Sequence, residues 1–297
     1  MLSGFLPINK PPNSTSAQVV ARVKKVTKVK KVGHAGTLDP SATGVLVVAF
    51  NRCTRLFPFL LSRKIYRAKI CLGITTDTLD AQGKVKTEKE VPKISRSEIS
   101  AYLKKFQGKI LQQPPLVSAL HYKGKRLYQL ARQGQQPEIP SRIVNIYKID
   151  FLEYTLPYFE IVVTCSPGTY IRTLADDLGK AIGCGAHLYA LERLACSGFE
   201  LAQSVDLEKI MIAGNSEYWQ SKVIPPLEAL AHLPTKEVAS QTCLAVRHGQ
   251  NISCSEPGLL NNSYIKIINE EKKLLAIAEK VNNSCKMKYV FYPANEV

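Results

Sequence analysis

The sequence predicts an α+β protein, in which a large domain of helices and strands is followed by a small domain of short strands. Residues 45–50 form a continuous apolar run, which is typical of a strand buried on both faces. Residues 64–73 alternate apolar and polar side chains, the pattern of a strand with one face in the core. From about residue 235 the chain has short apolar stretches separated by turns, and its 297 residues suffice for a large domain plus a small one.

The N-terminal segment predicts an extended stretch followed by a helix with one basic face. Prolines stiffen residues 7–12, and Ser14 or Ser16 is placed to cap a helix whose valines recur at helical spacing. The cations of this helix and of the loop after it are Arg22, Lys24, Lys25, Lys28, Lys30 and Lys31. Such a run is either a solvated face or a surface for phosphates, and its position next to the loop described below favours phosphates.

The central part of the chain predicts further helices and strands. Residues 53–61 indicate a short helix, and Ser95 and Glu98 have the spacing of a capping box that begins another. Residues 165–179 have the pattern of a strand end, a glycine turn and a helix, and Ser204 is placed to cap one more helix. Strands are also predicted at residues 143–152, 159–165 and 186–194.

Residues 121–148 combine cations with aromatic side chains. Against a single acid, Glu138, this segment contains the cations Lys123, Lys125, Arg126, Arg132, Arg142 and Lys148. The tyrosines that lie among them are Tyr122, Tyr128 and Tyr147. Because cations bind phosphates and aromatic rings stack on bases, the segment is predicted to contact RNA. Within it, residues 127–134 indicate a short helix ended by glycine.

The composition favours a nucleic acid as partner. The 40 Lys and Arg residues exceed the 24 Asp and Glu residues, and the resulting net charge of +16 points to a polyanion. No apolar run approaches the roughly 20 residues that a membrane-spanning helix needs. The first ten residues also lack the basic and apolar regions of a secretory signal. We therefore expect a cytoplasmic protein that does not bind a membrane.

The eight cysteines predict neither a disulfide frame nor a metal site. No pair has the Cys-x₂-Cys spacing of a zinc site, and no two histidines have helical i, i+4 spacing. Cys71 and Cys165 lie in apolar strands, where a free thiol behaves as a small hydrophobic group. The glycine motifs that bind ATP or dinucleotides are also missing from the sequence. We expect a reducing cytosol and no metal or other cofactor.

One loop has the features of a catalytic segment. Residues 33–45 contain three glycines, which allow a ligand or another backbone to come close, and a single carboxylate, Asp39. Pro40 favours an extended conformation at Asp39, and the buried strand that follows gives the loop a rigid support. An Asp-Pro pair is also common as a simple turn, so these residues alone leave both roles open.

The sequence of the same loop resembles a motif of a known protein family. Residues 33–44, Gly-His-Ala-Gly-Thr-Leu-Asp-Pro-Ser-Ala-Thr-Gly, resemble the catalytic motif of the TruB family of tRNA pseudouridine synthases. The resemblance extends over roughly residues 4–200 through further matches at Asn9-Lys10-Pro11, Tyr66-Arg67 and residues 75–83, 165–179 and 186–194.

This resemblance implies a domain organisation. Residues 1–233 are expected to have the pseudouridine synthase fold, a mixed, mainly antiparallel central sheet flanked by helices. Residues 121–148 are then expected to be an RNA-gripping insertion of that domain. Residues 246–252 more weakly resemble a PUA-type RNA-binding domain, which implies a small barrel-like domain at residues 234–297.

The resemblance also implies roles for individual residues. Asp39 would act on the ribose, either as a nucleophile at C1′ or as a base at C2′. Arg172 would keep Asp39 ionised, because a nearby cation lowers a carboxyl pKa by roughly 1–3 units. Tyr66 would stack on the target base and pass on its C5 proton. The residues implied to bind substrate are Lys10, His34 (filling the space that the base vacates), Tyr170 and Leu191. Those implied to contact the RNA backbone are Lys31, Lys123, Lys125, Arg126, Arg132 and Arg142.

The implied substrate is uridine 55 in the T stem-loop of tRNA, modified by a monomer without a guide RNA or a cofactor. Two other functions stay open on the sequence. A non-catalytic tRNA-binding protein that acts as an RNA-folding chaperone would bind tRNA and leave it unmodified. A carboxylate glycosidase would release free uracil, although such enzymes generally use two paired acids and the motif around Asp39 supplies one.

Overall fold

The computed structural model describes residues 3–118, 120–122, 124–135, 137–214, 217–254 and 258–292. Its α-helices are α1 (Ser16–Thr27), α2 (Arg96–Lys105), α3 (Leu127–Arg132), α4 (Ile171–Ile182), α5 (Leu207–Ala213), α6 (Glu217–Gln220), α7 (Pro226–Ala229) and α8 (Ser240–Arg247). Its strands are β1 (Gly4–Lys10), β2 (Val32–His34), β3 (Thr43–Phe50), β4 (Lys64–Leu72), β5 (Ile74–Thr76), β6 (Val85–Glu88), β7 (Gly108–Gln112), β8 (His121–Tyr122), β9 (Lys125–Arg126), β10 (Arg142–Thr155), β11 (Tyr158–Cys165), β12 (Ala186–Cys196), β13 (Phe199–Glu200), β14 (Val205–Asp206), β15 (Thr235–Val238), β16 (Ile252–Ser253), β17 (Tyr264–Asn269), β18 (Leu274–Val281) and β19 (Ser284–Val290).

The larger sheet confirms the predicted fold class. Its strand order is β14-β1-β3-β12-β4-β11-β10-β7, with β2 beside β3 and β13 beside β12. Only the β1–β14 and β3–β12 pairings are parallel among the described strands of this sheet, so it is mixed and mainly antiparallel. Helix α4 packs against β12 and against α2, which in turn contacts β10. The sheet therefore brings β3, β12 and β4, which carry the predicted motifs, next to one another.

Strand β3 is buried on both faces, as its continuous apolar sequence predicts. Val45, Val47 and Ala49 pack with Phe5 in one core cluster. The alternate residues, Leu46, Val48 and Phe50, pack in a second cluster with Val19 and Val23 of α1 and with Trp219. Because successive side chains of a strand point to opposite faces, an apolar run without alternation fits a strand between two cores.

A second sheet follows in the order β15-β17-β18-β19-β16, and its curled, half-barrel shape fits a PUA-like domain. The short strands predicted from about residue 235 are therefore present, and β17, β18 and β19 are the longest of them. The sheet and α8 enclose a core of their own around Val246, Ile265 and Ala276. Leu274 and Phe291 join the core cluster that contains Phe5, so this sheet also packs against the larger one.

The helix starts predicted from local sequence patterns are partly correct. Ser95 and Glu98 form the predicted capping box of α2. Thr15 caps α1 instead of Ser14 or Ser16, because the Ser16 hydroxyl bonds to the backbone of Leu38. Residues 53–61 contain 3₁₀ turns in place of an α-helix, and α5 follows Asp206 instead of starting at Ser204.

Candidate active site

Buried side chains hold the loop that contains Asp39. The ammonium of Lys10 donates hydrogen bonds to the carbonyl oxygens of Pro11 (2.8 Å), Ser14 (2.7 Å) and Pro40 (3.0 Å). Burial lowers the pKa of Lys10 to about 8, which Asp39 partly offsets. Lys10 has no exposed surface, so we expect it to position the loop and not to contact substrate, in contrast to its predicted substrate-binding role.

Arg193 of β12 also holds this loop. Its guanidinium donates hydrogen bonds to the carbonyl oxygens of Val45 (2.8 Å) and Gly36 (3.1 Å). Gly44 has a φ of +96°, and a Cβ there would lie 2.3 Å from the Arg193 carbonyl oxygen. Only glycine therefore fits where β3 and β12 meet.

Arg172 meets the carboxylate of Asp39, as predicted. Nη2 of Arg172 donates a hydrogen bond to Oδ1 (3.1 Å), and its Nε lies 3.0 Å from Oδ2. The arginine lies in the first turn of α4, directly after the turn at Gly168, where φ is +87°. Its side chain is 5% exposed and that of Asp39 is 35% exposed, so the carboxylate is accessible to a ligand while the arginine is almost completely buried.

A second carboxylate, Asp80, completes this cluster. Its Oδ2 lies 3.5 Å from Nη1 of Arg172. Asp80 accepts hydrogen bonds from the Thr78 hydroxyl (2.6 Å) and the Gln82 amide (3.1 Å), which fix its orientation. Asp80 lies within residues 75–83, one of the segments that match the family, but no role was predicted for it. Arg172 therefore holds two carboxylates, and it also donates to the backbone carbonyls of Thr78 (3.1 Å) and Val117 (2.9 Å).

The pKa of Asp39 is raised above its ordinary value of 3.8. Burial is the largest cause, and the negative charge of Asp80 adds to it. Arg172 and Lys10 act in the opposite direction. Arg172 thus has the predicted effect on the pKa, but the net shift is upward because the loss of hydration outweighs the nearby cations.

This balance of charges predicts the pH dependence of activity. Asp39 must be ionised to act on a ribose, so kcat/KM is expected to fall on the acid side at a pH above the ordinary aspartate pKa. Asp80→Asn removes a negative neighbour and lowers the pKa of Asp39, which moves the acid limb of kcat/KM to lower pH. Lys10→Met removes a cation and moves it to higher pH. Profiles of kcat/KM against pH for the three proteins test both signs, and shifts in the same direction would contradict the assignment.

Asp39 and Arg172 border a cavity of about 300 Å³. Its other lining residues include Lys64, Tyr66, Arg142, Tyr170 and Leu191. Burial raises the pKa of Tyr66 to about 12, although a hydrogen bond with Arg193 opposes the shift. Tyr66 is therefore a neutral phenol at neutral pH and offers its ring to the cavity. The cavity volume is within the range of small-ligand sites.

Comparisons with known proteins identify the family. The model of the TruB family pseudouridylate synthase N-terminal domain matches residues 24–171, and that of the tRNA pseudouridylate synthase B C-terminal domain matches residues 172–231. A tRNA pseudouridine synthase B of Microcystis aeruginosa is 42% identical over 281 residues, covering 94% of each chain. One of Clostridium tetani is 38% identical over 291 residues, covering 96% of this chain and 98% of its own.

The chain belongs to the TruB family. Solved structures agree with this assignment. A chain in the crystal structure of a Cbf5-Nop10-Gar1 complex matches with a TM-score of 0.76 and 27% identity, covering 98% of this chain and 86% of its own. A chain in an H/ACA RNP bound to a substrate RNA containing 2′-deoxyuridine matches with a TM-score of 0.75 and 25% identity, over 99% and 86% of the two chains. This TruB-family protein is an isomerase that converts uridine to pseudouridine in tRNA.

Only some of the other residues predicted for this TruB-family enzyme line the cavity. Tyr170 and Leu191 line the cavity, whereas His34 pairs with Val48 in β2 and is not among the lining residues. Arg142 also lines the cavity, and its guanidinium lies 4.9 Å from the centre of the Tyr170 ring. Of the other predicted RNA contacts, Lys31 and Lys125 are exposed. Lys123 and the side chains of Arg126 and Arg132 lie outside the described residues.

The described residues contain neither the arrangement of a metal site nor a helix able to span a membrane. No group of three or more His, Cys, Asp or Glu side chains has the arrangement of a metal site within the described ranges. No helix in this part of the chain is both long and apolar enough to span a membrane.

Proposed function

We propose that the enzyme acts on uridine 55 in the T arm of tRNA, as a cytoplasmic monomer without a guide RNA, and that Asp39 is its catalytic carboxylate. The contact between Asp39 and Arg172 at the cavity is the observation that carries the assignment of Asp39. The resemblance of residues 33–44 to the family's catalytic motif supports the choice of tRNA position. All eight cysteines are free thiols, which agrees with a reducing cytoplasm.

The proposal assigns catalysis and RNA binding to two domains. Residues 1–233 form the catalytic domain, with residues 121–148 as its RNA-gripping insertion, and residues 234–297 form a PUA-like RNA-binding domain. The separate core of the second sheet, around Ile265 and Ala276, supports this division. The exposed cations of α1, Arg22, Lys24 and Lys25, supply a surface for the phosphates of the stem.

The reaction breaks the N1–C1′ bond of uridine, turns the freed uracil and joins its C5 to C1′, after which the C5 proton leaves. The uridine first leaves the helical stack, which costs a few kcal/mol. Stacking of the base on the Tyr66 ring offsets part of this cost. Asp39 then either attacks C1′ or removes the C2′ proton, and Arg172 stabilises its charged form.

The site must also accept the proton that leaves C5 of the uracil. Because the pKa of Tyr66 is about 12, a free phenolate is scarce at neutral pH. Tyr66 can therefore relay this proton only if its hydroxyl gives up its own proton as it accepts the new one. The neighbouring Arg193, which lowers the pKa of Tyr66, favours the state that has lost the proton.

An unmodified tRNA transcript tests the proposed position. We expect the purified protein alone to produce one carbodiimide-blocked stop in primer extension, at the T-loop uridine, and none in a transcript with cytidine at that position. Light scattering is expected to give the monomer mass of 32.9 kDa. Stops confined to another arm would refute the T-arm assignment, and free uracil among the products would indicate a glycosidase.

A further inference from the structure

Lys64 is a cavity-lining lysine whose ammonium has no acidic partner among the described residues. It begins β4, and its Nζ would lie 3.2 Å from a Cβ placed at Gly36, so the amine lies against the catalytic loop. Burial lowers the pKa of Lys64, and the positive charges of Arg193 and Arg142 lower it further. The charged groups that most affect this lysine therefore include two cations and no carboxylate.

Two other lysines with little or partial exposure, Lys10 and Lys69, have acceptors. Lys10 donates to three carbonyl oxygens, and Lys69, on the opposite face of β4, lies 3.8 Å from Glu160. A charge withdrawn from water without such a partner is costly, so a ligand that supplies an acceptor would stabilise the charged form of Lys64.

Two further donors near Lys64 lack acceptors. The Arg142 Nε and the Ser118 Oγ are buried and have no hydrogen-bond partner in the part of the chain that the structure describes. Both residues line the same cavity as Lys64. Buried polar groups nearly always have a partner, so these two buried donors, together with the unpaired ammonium of the half-buried Lys64, indicate a missing acceptor with several oxygens.

We propose that Lys64, Arg142 and Ser118, together called the Lys64 site, bind a backbone phosphate next to the target uridine. This inference rests on the proposed function. Two converging cations favour an anion over the neutral carbonyl oxygens of uracil, and arginine with lysine is a common combination for phosphate. Lys64 and Tyr66 point to the same face of β4, about 7 Å apart along the strand. The phosphate is thus held beside the ring on which the base stacks.

Such a site has a catalytic consequence. A phosphate held by Lys64 fixes the backbone on one side of the target nucleotide. The ribose is then restrained against Asp39, because the loop that carries Asp39 also lies against Lys64. Binding energy from the non-reacting phosphate is used in this way to position the reacting sugar.

The test combines Lys64 variants with T-arm stem-loops in which single phosphates beside the target uridine are replaced by uncharged methylphosphonates. In the wild-type enzyme, one replacement is expected to lower kcat/KM by about tenfold, as for the loss of a charge-assisted hydrogen bond. Lys64→Met is expected to lower kcat/KM on the unmodified stem-loop by about the same factor. The same methylphosphonate should then cost Lys64→Met less than about twofold, because the interaction is already absent.

Controls separate this role from a structural one. Lys64→Arg keeps the charge and is expected to stay within about threefold of wild type, whereas Lys69→Met, on the other face of β4, is expected to show the full methylphosphonate effect. Lys64→Met removes an unpaired buried charge, so its melting temperature should not fall.

Equal methylphosphonate effects in wild type and Lys64→Met would overturn the inference, as would a wild-type enzyme that is indifferent to every replacement. Either result leaves the proposed function intact as long as the wild type modifies the native stem-loop. Failure of the wild type to form pseudouridine in that stem-loop would refute the proposed function instead.

Discussion

Replacement of Asp39 by asparagine is expected to lower kcat by at least about a thousandfold. The amide neither attacks C1′ nor removes a proton from C2′, so both possible routes are blocked. The carboxylate contributes its charge mainly in the transition state, and the backbone contacts that bind tRNA lie elsewhere. The dissociation constant for tRNA is therefore expected to change by less than about threefold. This separation of catalysis from binding distinguishes an enzyme from a tRNA-binding chaperone.

Single-turnover release of tritium from tRNA labelled at uridine C5 measures this effect, because the C5 proton is lost only when the new bond forms. Filter binding gives the dissociation constant. Asp77→Asn is the matched control, since Asp77 lies in the same segment as Asp80 and accepts a hydrogen bond from the Lys84 amide (2.8 Å). An Asp39→Asn enzyme with near wild-type release would remove Asp39 from the mechanism.

Replacement of Arg172 by methionine is expected to have the second largest effect, on both activity and stability. It leaves the carboxylates of Asp39 and Asp80 without their shared cation. Breaking a buried ion pair from one side costs about 3 kcal/mol or more in the free energy of unfolding. Activity is expected to fall by at least about a hundredfold, because the pKa of Asp39 rises further and its orientation is lost.

A double-mutant cycle identifies the source of the lost stability. Asp80→Asn should recover part of the free energy of unfolding lost in Arg172→Met, since it removes one of the two uncompensated charges. Arg172→Lys is expected to remain impaired, because an ammonium cannot reproduce the two contacts to Asp39. Strictly additive effects of Arg172→Met and Asp80→Asn in urea unfolding would contradict a shared cluster.

The fold was largely predictable where a local pattern determines an element. The unbroken apolar run of β3 indicated burial on both faces, and Ser95 and Glu98 indicated the start of α2. The cap of α1 was predicted one residue away from its position because Ser14, Thr15 and Ser16 all have suitable side chains. Ser16 is used by the Leu38 backbone, a contact between residues 22 positions apart that no local pattern contains.

The site was predictable only through the match to the family motif. Asp39 and Arg172 are 133 positions apart, and the spacing of residues alone gives no reason to pair them. Asp80 and Lys64 were missed as members of the site because each has an ordinary local explanation, a polar turn and a strand end. Lys10 was predicted to bind substrate because it lies in a motif, and its burial and its hydrogen bond to the Pro40 carbonyl, which lead us to expect a positioning role instead, were visible only in the structure.

The direction of the Asp39 pKa shift also could not be predicted from the sequence. A neighbouring arginine is a pairwise feature that the motif suggests, and it acts as expected. The loss of hydration around Asp39 depends on how β3, α4 and the loop pack together, and the negative charge of Asp80 raises the pKa separately. These contributions come from the assembled cavity, so the net direction was accessible only from the structure.

The most direct test of the central claim is a crystal structure of the Asp39→Asn enzyme with an unmodified T-arm stem-loop. We expect the target uridine to have left the stack and its ring to lie against Tyr66. Its C1′ or C2′ should be in contact with the side chain at position 39. Arg172 should still hold that side chain. A target ribose that lies against a different acidic residue, or a uridine that stays stacked in the bound loop, would contradict the account.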